Sequence, residues 1–234
     1  LMPLRGRRTA WPPDEMGQEY APNCLNVRFR FGEVRGTPGR GLLAGPPVAE
    51  PIKWIGQFPL LDGTIWAVML TTTKAFRWGN GSPGVPRQWH QILLGDTVPT
   101  GSSRWTATVG EGKLFFGRSD DKIYYWSGVA TDPFRSIDAT VGVQGFGGGV
   151  TAPRGKFLEY FNNRLTVAST VEGASTFTNR LRWTESGNFL RWDETLGLVA
   201  GFLDLVEGGK EPIQCTKSFV SGGRLFVSTR TTIK

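Results

Sequence analysis

One histidine, His90, and two cysteines, Cys24 and Cys215, are the chain's whole stock of imidazole and thiol. A Ser-His-Asp relay would have to run through His90, which stands beside Trp89 in strand-like text. Three such side chains scattered along the sequence do not make a zinc-ligand spacing or a disulfide framework. The run Gly79-Asn80-Gly81-Ser82-Pro83-Gly84 has the wrong spacing for a nucleophile elbow. Gly145-Phe146-Gly147-Gly148-Gly149 lacks the Lys-Ser/Thr pair of a phosphate loop and reads as a linker. Carboxylates remain. Asp120, Asp121, Asp132, Asp138, Glu185, Asp193 and Glu194 could supply a glycosidase dyad, which needs two carboxyls roughly 5–9 Å apart. Most of them stand in turn-like text, where Asp bonds nearby backbone, and no pair is singled out. Asp120-Asp121 alone falls short of a calcium loop. The expectation is a protein that is not an enzyme, with no catalytic residue, no cofactor and no metal.

The elements that would position any site are short strands. Val27, Phe29 and Phe31 alternate with Arg28 and Arg30, and Gly32-Glu33 turns into a partner strand from Val34 to Gly39. After residue 50 the alternation repeats. A first set of strands is expected at Ile52–Phe58, Ile65–Thr71, Lys74–Trp78 and Gln88–Leu93. A second is expected at Trp105–Val109, Lys113–Gly117, Lys122–Ser127 and Phe134–Ile137. A third runs Phe157–Phe161, Arg164–Ser169, a longer loop, Arg180–Thr184 and Phe189–Trp192. A fourth starts with Ile213–Phe219 and Arg224–Thr229 and opens a third strand at Thr231–Lys234. Asp62-Gly63, Glu111-Gly112, Asp120-Asp121, Asn162-Asn163 and Gly222-Gly223 are the turns between them, and Asn80-Gly81 ends the strand at Lys74–Trp78. The third strands end in Arg77-Trp78-Gly79, Tyr125-Trp126-Ser127 and Arg182-Trp183-Thr184, so Trp78, Trp126 and Trp183 mark the repeat.

A period near 50 residues with four short strands is the signature of propeller blades, whose sheets bury one another by stacking. The fold class expected is therefore all-β, with repeated four-stranded antiparallel blades in a β-propeller-like and incomplete arrangement. Residues 1–45 would form an extended N-terminal arm with the first strands, and residues 46–234 the blades, the last one truncated. A β-sandwich or barrel also needs short alternating strands, but not a recurring aromatic-Trp ending. Leu196–Val206 is the one helical candidate, and it contains Gly197 and Gly201.

The net charge is +7. It is spread almost evenly, with seven basic and five acidic side chains in residues 1–50, nine and seven in 51–150, and eleven and eight in 151–234. That pattern argues against a nucleic-acid-binding tail. Arg5, Arg7 and Arg8 form the one short acid-free cluster, and with Trp11 they are the interface candidates, since Arg and Trp are favoured anchors. No run approaches the ~18 apolar residues of a membrane helix, so no membrane insertion is expected.

The stretch Ala21-Pro22-Asn23-Cys24-Leu25-Asn26-Val27-Arg28-Phe29-Arg30-Phe31-Gly32-Glu33-Val34-Arg35-Gly36-Thr37-Pro38-Gly39 resembles the opening segment of bacteriophage tail nozzle and tail-hub propeller proteins. Tyr160–Ser169, Asn179–Trp192 and Gly223–Thr229 are similar to the strand and rim text of that family. Family members are usually much longer, which would agree with an unfinished last blade. The resemblance implies a structural virion component at the end of a tail, made in the host cytoplasm. It implies a homo-oligomeric ring, adaptor, fibre or spike proteins as neighbours, and transient non-specific contact with DNA during ejection. A carbohydrate- or receptor-binding propeller module is the alternative.

Overall fold

The computed structural model describes residues 27–30, 33–36, 48–79, 87–96, 98–196, 200–205, 212–219 and 224–229. The chain divides into two compact units, Leu1–Ala44 and Gly45–Lys234. In the first, β1 (Val27–Arg30) and β2 (Glu33–Gly36) form an antiparallel hairpin with Phe29 opposite Val34.

The second unit is built from antiparallel meanders. Its first sheet has the order β3 (Trp54–Pro59), β4 (Ile65–Leu70), β5 (Ala75–Gly79), β6 (Gln88–Ile92). The second has β7 (Thr106–Gly110), β8 (Lys113–Arg118), β9 (Asp121–Trp126) and β10 (Arg135–Ser136). The third has β11 (Arg154–Phe161), β12 (Arg164–Glu172), β13 (Ser175–Trp183) and β14 (Gly201–Asp204). A two-stranded sheet of β15 (Ile213–Phe219) and β16 (Arg224–Thr229) follows. One 3-10 turn, Phe146–Gly148, is the only helical element among the described residues. No helix among them is long and apolar enough to cross a membrane.

The turns follow from local chemistry. A two-residue hairpin turn of the twist-matching kind needs positive φ at both central residues. Glu111 and Gly112 have φ of 49° and 66°, and Asn162 and Asn163 have 48° and 59°. Asn tolerates that region well, and Gly112 supplies it where Glu111 carries the strain.

Successive sheets bury one another. Phe58, Val68 and Leu70 of the first sheet pack with Leu114, Phe116, Tyr124 and Trp126 of the second. Phe115 points the other way along β8 and joins Leu158, Leu165, Val167 and Trp192 on the third-sheet side. Both faces of the second sheet are thus covered, which is why β8 reads as an apolar run and not as an alternation. Ala168, Leu181 and Ile213 close the gap between the third sheet and β15. The first strands lie side by side: β3 meets β7, β7 meets β11, and β11 meets β15. At the β7–β11 contact the Tyr160 ring lies over Gly110, where an added Cβ would come within 2.1 Å of its Cγ.

The links between sheets repeat as well. Leu94, just beyond β6, makes a parallel bridge to Phe134 beside β10. Around it the Phe134 amide donates to the Leu93 carbonyl at 2.9 Å, and the Ser136 amide and hydroxyl both donate to Asp96 Oδ2. Gln144, beyond β10, makes the same kind of bridge to Arg191 in the third sheet's repeat. The Gln144 amide donates to the Leu190 carbonyl, and the Trp192 amide returns to the Gln144 carbonyl at 2.7 Å.

Three sequence expectations are corrected. The strand expected at Phe189–Trp192 pairs with the incoming linker, and the fourth strand of the third sheet is β14, with Gly201 opposite Trp183. The helical candidate at Leu196–Val206 holds that strand instead, as its glycines and the exposed Phe202 and Leu203 suit an edge. The longer loop expected after Ser169 is absent. β12 continues to Glu172 through a bulge at Ser169, whose φ is 55°, and turns at Gly173 into β13. The turns expected at Asn80-Gly81 and Gly222-Gly223 and the strand at Thr231–Lys234 lie outside the described residues.

Candidate functional site

The carboxylates that might have formed a dyad are occupied by structural bonds. Asp120 Oδ2 accepts the amides of Ser102 and Ser103 at 2.7 and 2.8 Å. Asp121 accepts the amides of Thr100 and Lys122 and an Arg118 N–H at 2.9 Å. Asp132 takes the Ser127 hydroxyl, Asp138 the Ala152 amide, and Asp193 the amide and hydroxyl of Thr195. Glu185 pairs with Arg191 and Glu194 with Arg182. His90 sits on β6 with Nε2 3.1 Å from the Gly79 carbonyl. No group of three His, Cys, Asp or Glu able to hold a metal occurs among the described residues.

Of the tryptophans that mark the repeat, Trp126 is fully buried between the first two sheets. Trp78 is half-buried on the opposite face of the first sheet, edge-on to Trp89. Trp183 is half-buried between the third sheet and the β15–β16 pair. Its partner across the ladder is Thr166, whereas Trp78 faces Ala67 and Trp126 faces Leu114. Aligning the second strands on Ala67, Leu114 and Leu165 leaves Trp183 one residue out of step, so it points to the other face. Arg5, Arg7, Arg8 and Trp11 lie outside the described residues.

Two features stand out that no single stretch of sequence announces. One is a cavity of about 600 Å³ where the first strands meet. Trp54 from β3, Ser103–Ala107 running into the start of β7, residues 156–159 of β11, and Gln214, Thr216 and Lys217 of β15 line it. Asp120 and Asp121 hold the segment before β7 by its amides and so fix one wall. Beneath that wall Arg118, with no exposed surface, lies 3.9 Å over the Trp105 ring.

The other is an ion network on the third sheet. Arg182, 2 % exposed, donates from Nε and Nη2 to the two oxygens of Glu172 at 3.0 and 3.1 Å, and from Nη1 to Glu194 at 2.8 Å. Arg180 forks onto Asp204 at 2.7 and 2.8 Å and reaches Glu172 at 3.0 Å, with Phe177 and Phe202 flanking its guanidinium. Glu194 also accepts the Gly147 amide, which ties the linker after the second sheet to the third. The sequence signal was Arg180 and Arg182 two apart on one strand. Residues two apart on a strand share a face, so both guanidiniums reach the same neighbouring strands, where carboxylates can pair with them.

The carboxyl groups set opposing responses to acid. Burial pushes the Asp121 carboxyl up, but the Arg118 guanidinium and the amides of Lys122, Gly101 and Thr100 outweigh it and hold it below its usual value. Asp138 goes the other way: burial lifts it despite the Ala152 amide. A lowered folded pKa gives stability that is complete above the ordinary carboxylate range near pH 4 and lost as pH falls through the folded value. A raised one gives stability that is present below that range and lost as pH rises through the folded value. Asp138→Asn is therefore expected to stabilise at neutral pH, and Asp121→Asn to destabilise. Both differences should shrink as the pH falls through the range that Asp121 and Asp138 titrate in. Urea unfolding at neutral and acid pH measures this, and a destabilised Asp138→Asn at neutral pH contradicts it.

No protein-family model, no curated protein and no solved structure matches the chain.

Proposed function

We propose that this chain is a non-catalytic, propeller-type scaffold and a structural component of a bacteriophage tail. Its sheets would act as blades in the wall of a nozzle or hub through which DNA leaves, with its loops and N-terminal arm docking neighbouring tail proteins. The observation that carries the reading is the repeated unit: four-stranded meanders stacked face to face, first strands side by side, with the linkers after the first and second sheets each bonded into the sheet that follows. Stacked blades with bonded linkers suit a wall that must stay rigid under load. The occupied carboxylates and the buried arginines favour a structural role over hydrolysis. The tail assignment itself rests on the family resemblance of the strand and rim text.

The test is deletion of residues 1–20, which removes Arg5, Arg7, Arg8 and Trp11. Particle assembly is expected to fail while the thermal unfolding of the sheets is unchanged. Normal particles carrying the shortened protein would sink this role. A carbohydrate- or receptor-binding module is the second reading, favoured by the polar and aromatic lining of the cavity between the first strands. A glycan array without a binder would count against that one.

A further inference from the structure

We propose that the cavity between the first strands binds a small phosphate-bearing ligand, its charged end held by Arg104, Lys156 and Lys217. This stands independently of the tail assignment. The three cations face a single lining carboxylate, Glu159, which lies 3.5 Å from Lys217. Arg104 has no ion-pair or hydrogen-bond partner among the described residues. A cavity lined by cations in excess concentrates anions, and an Arg fork beside Lys and hydroxyl donors suits the three terminal oxygens of a phosphate.

The wall carrying these groups is pre-organised. The amides of Ser102 and Ser103 are spent on Asp120, which leaves the adjacent Arg104 on a fixed backbone with its side chain exposed. On the facing side, β15 carries a bulge between Ile213 and Cys215, and the extra residue, Gln214, lines the cavity. Bulges re-aim side chains, and this one sets Gln214 at the cavity wall with its amide donating to the Pro212 carbonyl at 3.4 Å. Trp54 and Phe157 add apolar walls for the body of the ligand. About 600 Å³ suits a sugar phosphate or a nucleotide, within the ~300–1,000 Å³ of small-molecule sites.

Isothermal titration of the full chain with pyrophosphate and with ATP, at low salt, tests this. Both are expected to bind, and Arg104→Ala is expected to weaken each at least tenfold. Arg135→Ala, which removes the same charge from an exposed position on β10, should leave binding within twofold. Both substitutions are at exposed residues, and unchanged melting temperatures verify that the fold is kept. Absence of binding at millimolar concentration overturns the proposal. Equal weakening by the two variants also overturns it, because attraction to net charge would then suffice. Binding of a single-stranded oligonucleotide without binding of pyrophosphate or ATP overturns it in favour of a polymer site.

Discussion

Arg182→Ala is expected to destabilise the second unit by about 3–5 kcal/mol, the cost of breaking a buried ion pair by removing one partner. Arg182 neutralises Glu172 side-on and Glu194 end-on while it is 2 % exposed. Without it, Glu172 keeps one ion pair, to Arg180 at 3.0 Å, and Arg180 is already committed to Asp204. The Thr170 hydroxyl, which also bonds Glu172, cannot replace a guanidinium. The same loss frees Glu194, which with Gly147 anchors the linker after the second sheet. The double substitution Glu172→Leu with Arg182→Met should recover much of the loss, because apolar groups of similar volume replace a buried pair at little net cost. Chemical denaturation of the three proteins measures this. A single variant within ~0.5 kcal/mol of the parent would make the network a surface feature, as exposed ion pairs are.

Trp126→Ala is expected to cost a similar amount, about 3–5 kcal/mol, through the cavity left by a large aromatic. The ring is fully buried, 5.7 Å from Phe58 of the neighbouring sheet, so it joins two sheets. Its indole N–H lies 3.1 Å from the carbonyls of both Val129 and Asp132 and closes the loop that leads to β10. Trp183→Ala is expected to cost less, because that ring is only half-buried and faces the smaller cluster of Ala168, Leu181 and Ile213. Urea midpoints for the two variants, side by side, test the contrast. Equal losses would mean that the two tryptophans do equivalent work despite facing opposite ways.

That contrast shows where the sequence was legible. The strands from β3 to β9 lie within a residue or two of the alternating segments, because each alternation ended in text that only a turn accommodates, such as Asp62-Gly63 or Glu111-Gly112. The third sheet was harder. Gly173 and the polar residues around it read as loop, but the carboxylates and arginines across β12 and β13 hold both strands in register to Glu172 and Ser175. Tertiary pairing there overrides local propensity. Phe189–Trp192 had the aromatic content of a strand and became the partner of a linker. The cavity could not be read at all. Trp54, Arg104, Lys156 and Lys217 come from four different sheets or the segments leading into them, and none belongs to a local motif. The ion network was not read from the sequence: Arg180 and Arg182 lie two apart on β13, but Glu172 and Asp204 sat in text read as loop and helix.

The proposed role requires stacked sheets that serve as blades of a ring-building scaffold. Electron microscopy of the purified full-length chain tests this most directly. The predicted result is a ring of copies, with four-stranded sheets in each copy arranged radially about a local axis lined by β3, β7, β11 and β15. A monomer whose sheets face each other in two layers, with no such axis, would contradict it.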